Sequence, residues 1–284
     1  MKAKLLMIQG TSSGSGKSTS VIALCRIFSD LGYRVSPFKA QNMTSNFYFV
    51  RQKKSLKRMA GIQAVQATAA RIEPDIRMNP VLLKPLGDDL SEIILGGIGN
   101  LKMNAEDYYK SFVLQKGFPK VLEDLDSLRN QNDLILIEGA GSPAEINLSN
   151  YDIANMILAE RTNSKVLLVA EIERGGCFAA IVGTIRLLPS QQRKLIKGVI
   201  INKFLGQKSI LNNAIVEVEE MTKKKIMGVI PKVQFDIPSE DSLDQKKSKY
   251  SYSKRYLDEQ INLVASTFRE NIDMKYLLKI LKMK

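Results

Sequence analysis

Four side chains stand where chemistry on phosphate could be done: Lys17, Ser18, Lys39 and Glu138. Lys17 and Ser18 close a small-residue stretch, Gly10-Thr-Ser-Ser-Gly-Ser-Gly-Lys-Ser-Thr19. The apolar run Leu5 to Ile8 leads into it, and apolar residues at helical spacing follow it: Val21, Ile22, Leu24, Cys25, Phe28 and Leu31. Strand, turn, Lys-Ser and helix in that order form the context of a phosphate-binding loop. Gly10, Gly14 and Gly16 let backbone N–H groups approach an anion closely. The helix start aims the positive end of its dipole at the same point. Lys17 adds a point charge for the β- and γ-phosphates, and the Ser18 hydroxyl offers an oxygen to Mg²⁺. The expected nucleotide-binding set is Gly14, Ser15, Gly16, Lys17, Ser18 and Thr19, joined by Asn202 and Lys203. One detail departs from the common pattern: five residues, not four, separate Gly10 from Gly16.

The elements that must position these groups alternate. Strands are expected at Leu5 to Ile8, Tyr33 to Lys39, Ser91 to Leu95, Leu134 to Glu138, Lys165 to Ala170, Gly198 to Ile201 and Ile226 to Ile230. Helical patterns fall at Ala60 to Ile72, Ala105 to Leu128, Tyr151 to Arg161, Cys177 to Leu188 and Ser209 to Lys224, while Met78 to Pro85 reads as irregular. Such alternation, with near-continuous apolar strands, implies an α/β fold: a doubly wound, mostly parallel sheet of the P-loop kind. Ligands of such sheets bind at the carboxyl ends of the strands. That rule gathers five polar clusters at one edge: the loop at Gly10 to Ser18; Lys39, Gln41 and Asn42; Glu138 to Glu145; Glu171 to Gly176; and Asn202 with Lys203.

Each cluster has a chemical reading and a plain one. Glu138 follows four apolar residues, so its charge needs a reason; a Mg²⁺ shared with Ser18 and the phosphates supplies one. Lys39 could neutralise a transferring phosphoryl group or a substrate carboxylate, or be a solvated strand end. Gln41 and Asn42 open a polar loop at the substrate side. Lys84, between Leu83 and Pro85, is either a substrate contact or a surface charge. Ser142, Glu145 and Asn147 either bind substrate or cap the following helix. Asn202 and Lys203 suit a nucleotide base, read by amide and aliphatic stem, or form a turn. Glu171, Glu173 and Arg174 make either a second acidic site or a local salt bridge.

Composition narrows the chemistry further. Histidine is absent from the 284 residues, which excludes Ser-His-Asp and Cys-His catalysis and any His-ligated metal. No CxxC pair is available for zinc, and Cys25 and Cys177 sit far apart in apolar segments, as reduced core thiols in a cytoplasmic setting would. No apolar run approaches a membrane span. The net charge of +13 suits an acidic partner. Arg51 to Arg58 carries five basic residues and no acid, without interleaved aromatics. Solvated surface charge is the expected reading there, and a nucleic-acid platform is not.

Taken together, the motifs resemble a family. Gly10 to Thr19, Pro37-Phe-Lys-Ala-Gln-Asn-Met43, Gln63-Ala-Val-Gln-Ala67, Met78-Asn-Pro-Val-Leu-Leu-Lys-Pro85, Glu138-Gly-Ala-Gly-Ser-Pro-Ala-Glu-Ile-Asn-Leu148 and Ile201-Asn-Lys-Phe204 are similar to the synthetase domain of cobyric acid synthases, relatives of dethiobiotin synthetase. The resemblance runs through Pro238 to Leu243. It implies an amide ligase of cobalamin biosynthesis: ATP, with Mg²⁺, activates side-chain carboxylates of adenosylcobyrinic acid a,c-diamide as acyl phosphates, and ammonia displaces phosphate. The roles it carries over are phosphate and Mg²⁺ binding for Lys17 and Ser18, Mg²⁺ for Glu138, the phosphoryl or substrate side for Lys39, and adenine for Asn202. In two places the chain departs from the family pattern: Ala60-Gly-Ile-Gln63 replaces Gly-Arg-Ala-Gln, and Glu171-Ile-Glu-Arg-Gly-Gly176 replaces Asp-Ile-Asp-Arg-Gly-Gly.

The organisation expected is a synthetase domain at 1–243 and a basic, partly helical tail at 244–284; residues 245–284 hold ten Lys and Arg against four Asp and Glu. The glutamine amidotransferase domain of the family is not expected in this chain, so ammonia would arrive free or from a separate glutaminase subunit. A corrinoid polycarboxylate is the expected substrate partner, a homo-oligomer is compatible, and a membrane is not expected. Two rival readings are a nucleotide-switched partitioning ATPase that binds DNA or membrane, and an inactive remnant of the synthase. Partitioning ATPases often carry a further lysine early in the loop, where Thr11-Ser12-Ser13 stands here.

Overall fold

The computed structural model describes residues 2–52, 55–238 and 253–284. The chain enters on β1 (Lys4–Gly10), turns through the glycine-rich loop and becomes α1 (Lys17–Asp30). There follow β2 (Val35–Phe38), β3 (Gln41–Met43), the pair β4 (Phe47–Gln52) and β5 (Ser55–Ala60), and α2 (Gly61–Ala69). A meander of β6 (Val81–Gly87), β7 (Leu90–Leu95) and β8 (Ile98–Asn104) precedes a helical run: α3 (Ala105–Asp107), a π-helical stretch (Tyr108–Gly117) and α4 (Phe118–Arg129). The rest alternates through β9 (Leu134–Glu138), α5 (Met156–Thr162), β10 (Lys165–Glu171), α6 (Cys177–Leu187), α7 (Ser190–Leu195), β11 (Ile196–Phe204), α8 (Asn212–Thr222) and β12 (Ile226–Pro231). Two helices close the described chain, α9 (Lys254–Asn271) and α10 (Met274–Leu281).

The main sheet is parallel throughout, in the order β12-β11-β10-β1-β9-β2. Side chains alternate across it, as strand geometry requires. Met7, Ile135, Ile137, Val166 and Leu168 face a core closed by α4, α5, α6 and α8. Leu6, Ile8, Leu136, Leu167 and Val169 face a second core closed by α1, α2, α9 and α10. Both faces are therefore covered by helices, and the strands are apolar on both sides.

The C-terminal helices are part of that second layer. Ile261, Val264, Ala265 and Phe268 of α9 and Leu277 and Leu281 of α10 are buried in it. Arg26 of α1, only 1% exposed, ties the layer together. It donates to the Ala69 carbonyl (3.0 Å), Asn262 Oδ1 (3.0 Å) and Asp258 Oδ1 (2.5 Å). The expected boundary between residues 243 and 244, and the motif's last residues 239–243, lie outside the described residues, as does most of the Lys/Ser/Tyr-rich stretch 245–256.

Two segments differ from expectation. Met78 to Pro85, read as irregular, contains most of β6, the centre of a small sheet in the order β3-β6-β7-β8. Pro85 is tolerated there because the register shifts between Pro85 and Gly87, where the missing N–H does least harm. The basic run Arg51 to Arg58 falls largely on the β4–β5 pair; Lys53 and Lys54 lie outside the described residues. Cys25 and Cys177 are buried and free, and burial pushes the Cys177 thiol up to about 12. Among the described residues no helix is long and apolar enough to cross a membrane.

Candidate active site

The carboxyl ends of β1, β9, β10 and β11 meet around the loop after β1. In that loop Gly14 and Gly16 have φ of 70° and 102°, backbone that favours glycine. A side chain at Gly16 would also collide with Asn202, since a Cβ there would stand 2.0 Å from its Nδ2. Asn202 Nδ2 donates to the Ser15 carbonyl at 3.0 Å, and Lys203 Nζ donates to the Gly14 carbonyl at 2.9 Å. The end of β11 thus braces the loop from one side. The Gly139–Gly141 turn braces it from the other: Lys17 Nζ donates to the carbonyls of Ser12 and Gly141, both at 3.0 Å.

Glu138 is the electrostatic centre. It is fully buried, at the end of β9. Its Oε1 accepts from Ser18 Oγ at 2.8 Å and from Lys39 Nζ at 2.9 Å, and Gln66 Nε2 donates to its Oε2. Burial alone would push this carboxyl up. The Lys39 charge and the hydrogen bonds from Lys39, Ser18 and Gln66 outweigh burial and hold it below the usual carboxylate range. The site therefore presents a buried, ionised carboxylate beside a hydroxyl and a lysine.

A cleft of about 430 Å³ opens over the loop. Gly14, Gly16, Lys17, Ser18, Thr19 and Lys203 line it on the loop side, and Lys39, Gln41 and Asn42 on the other. Asn42 is held by Gln63 (Nδ2 to Oε1, 2.9 Å), and Gln41 Oε1 accepts from the Tyr108 hydroxyl at 2.7 Å. A second cavity, of about 190 Å³, shares Thr19, Lys203 and Phe235 with the cleft and runs past Asn202 and Pro231 to Phe268 of α9. It has the dimensions and the apolar walls that suit a nucleotide base.

Other expected residues stand elsewhere. Ser142, Glu145 and Asn147 do not line the cleft, and Glu145 and Asn147 are exposed. The Glu145 carboxylate does stay near the turn, since a Cβ on Gly141 would lie 3.1 Å from its Oε1. Lys84 alternates to the face of β6 that carries Glu92, its register partner. Arg58 already holds that carboxylate with two bonds, of 3.1 and 2.6 Å. Glu171, Glu173 and Arg174 form local ion pairs: Glu171 with Lys203 (3.2 Å) and Arg174 (3.5 Å), and Glu173 with Lys232.

Sequence reasoning missed four supports. Gln66 was visible only as part of a motif, although Gln63 and Gln66, three apart on a buried helix, carry the signal of an inward polar face. Asn79 fixes the Lys39 strand end, donating to the carbonyls of Lys39 (3.2 Å) and Val81 (3.1 Å) and accepting from the Ala60 N–H (3.1 Å). Asn155 donates to the Ala140 carbonyl (2.5 Å) and to Asp152 Oδ2 (2.8 Å), which sets the turn that receives Lys17. Burial pushes Asp152 up to about 6, against those hydrogen bonds.

Parallel sheet, glycine-rich loop, Lys-Ser at a helix start and a carboxylate at the next strand's end define a P-loop nucleotide-binding domain. Residues 6–242 match the family model for the CobQ/CobB/MinD/ParA nucleotide binding domain, CbiA, and the chain belongs to that family. It is similar to cobyric acid synthases. The protein of that name from Streptococcus sanguinis is 48% identical over 257 residues, 90% of this chain and 50% of that one. The one from Nostoc sp. is 46% identical over 264 residues, 93% of this chain and 52% of that one. The probable cobyric acid synthase of Methanothermobacter thermautotrophicus is 47% identical over 251 residues, 88% and 49% of the two chains. This chain spans about half the length of the curated relatives it matches.

Proposed function

We propose that this chain is an ATP-dependent amide ligase acting on the side-chain carboxylates of a corrinoid, the diamide of adenosylcobyrinic acid. The observation that carries the reading is the Lys17, Ser18, Lys39 and Glu138 constellation in a chain so similar to cobyric acid synthases. ATP would lie with its phosphates on the loop and Lys17 and its base beside Asn202. Ser18 Oγ and Glu138 are hard oxygen donors side by side, the kind Mg²⁺ takes together with phosphate oxygens, so these residues fit the ion. When bound, Mg²⁺ would neutralise phosphate charge. Lys39 and Lys17 would draw an acceptor carboxylate toward the γ-phosphate and hold it in line.

The reaction proceeds in two steps. A carboxylate oxygen forms a bond to the γ-phosphorus as the bond to ADP breaks. Ammonia then attacks the acyl carbon, phosphate leaves with the C–O electron pair, and the nitrogen loses a proton. Neither step needs histidine; both need charge neutralisation and positioning. The ammonia would come free in solution or from a separate glutaminase. The test is incubation with ATP, Mg²⁺, ammonium and the corrinoid diamide. Corrinoid-dependent ADP release with carboxamide formation is the expected result; intact protein that gives neither would overturn the reading.

A further inference from the structure

A third cavity, of about 240 Å³, lies between the β6–β7–β8 meander and the start of the π-helical stretch. Its walls are mostly apolar and aromatic, with Met43, Leu83, Leu90, Met103, Tyr108 and Tyr109 among them. Nothing in the phosphate chemistry uses it, yet it is joined to that chemistry through β3. Met43, 55% exposed, lines both this cavity and the phosphate cleft. Gln41 lines the cleft while its Oε1 accepts from Tyr108, which lines the cavity. One strand thus serves as the partition between the two.

We propose that this cavity holds the apolar flank of the acceptor, so that a carboxylate arm reaches over Met43 toward Lys39. The inference rests on the ligase reading above and adds the place where the acceptor docks. A corrin ring is a broad, largely apolar body with polar arms, too large for the phosphate cleft once a nucleotide fills it. Tyr109, partly exposed and braced edge to face by the buried Tyr108 ring at 5.3 Å, offers aromatic surface that such a body packs on.

The rim sets the orientation. Asp88 and Asp89 line the cavity mouth at the β6–β7 turn, with φ of 49° and 62°. Two carboxylates there repel the carboxylate arms of the acceptor and accept hydrogen bonds from arms that are already carboxamides. The ring therefore enters with its amide-bearing edge at Asp88 and Asp89 and its free carboxylates toward the lysines.

The test is equilibrium dialysis of the full chain against the corrinoid diamide, read by the corrinoid's visible absorbance, with ATP affinity measured in parallel. Ser91→Phe fills the cavity from β7, and Leu90→Asn removes apolar wall at the exposed start of the same strand. Each is expected to weaken corrinoid binding at least tenfold, about 1.4 kcal/mol, and to leave ATP affinity within twofold. Asp88→Asn with Asp89→Asn is expected to narrow the preference for the diamide over the amide-free cobyrinic acid by a similar factor. Unchanged corrinoid affinity in both cavity variants overturns the docking site, even if the wild type forms amide. An unchanged preference in the aspartate variant overturns the orientation. If the wild type neither binds nor amidates the corrinoid, the site and the ligase reading fall together. If it binds through this cavity but forms no amide, only the ligase reading falls.

Discussion

Replacing Lys39 by Met isolates the charge arrangement on which the site depends. Lys39 is 3% exposed and its partner Glu138 is fully buried. Met keeps most of the side-chain volume and removes the charge. Glu138 retains hydrogen bonds from Ser18 and Gln66 but loses the 2.9 Å ion pair. Breaking a buried pair on one side costs about 3–5 kcal/mol. With two donors still in place the lower end applies, about 3 kcal/mol at neutral pH. The pH dependence must also reverse. In the wild type the Glu138 carboxyl sits below the usual range, so its contribution is present above the unfolded value, about 4.3, and is lost as pH falls through the lower folded value. In the variant, burial without the lysine raises that carboxyl above its unfolded value. The penalty then shrinks as pH falls from neutrality, because protonation relieves the buried charge. Urea unfolding of both proteins at about pH 7.5 and about pH 5.5 measures this, and the gap between them should narrow at the lower pH. A gap under about 1 kcal/mol with parallel pH profiles would refute the reasoning.

Three further outcomes follow from the same geometry. Asn202→Ala removes the bond to the Ser15 carbonyl and one wall of the base cavity, so ATP affinity measured by calorimetry should fall about tenfold, roughly 1.4 kcal/mol. Asp152→Asn should flatten the stability profile between about pH 7 and about pH 5, because a carboxyl raised to about 6 destabilises the fold when ionised and stops doing so as pH falls. Deleting residues 254–284 should abolish cooperative unfolding followed by circular dichroism, since the core that α9 and α10 close together with α1 and α2 then loses Ile261, Val264, Phe268 and Leu277.

The parts of the fold that could be read from sequence are those with a single strong signal. The strands around Ile8, Ile137, Leu168 and Ile200 are buried on both faces, and a continuous apolar run admits little else. The loop after β1 was legible because its glycines, lysine and serine serve one purpose. The β6 strand was not, because Lys84 and Pro85 interrupt its apolar pattern and it pairs in a small mixed sheet where one face carries ion pairs. The run from Ala105 to Leu128 keeps helical composition, and nothing in it announces the π-helical stretch at Tyr108–Gly117. In α9 the signal was present: Ile261, Val264, Ala265 and Phe268 recur at helical spacing. The basic residues around them mark the outer face of the helix, while the apolar stripe closes a core. Within the site, Lys17, Ser18, Lys39 and Glu138 stand together as their strand-end positions required. Gln66 showed only in its spacing from Gln63, and Asn155 was hidden because an amide before a helix looks the same whether it faces water or a buried carbonyl.

The central claim is that phosphate leaves this site as the leaving group of an acyl phosphate made on the acceptor. Heavy-oxygen label in the acceptor's carboxylates tests it directly. With ATP, Mg²⁺ and ammonium, the inorganic phosphate released should carry one labelled oxygen for each carboxamide formed, read by mass spectrometry. Carboxamide formed alongside wholly unlabelled phosphate would contradict the account.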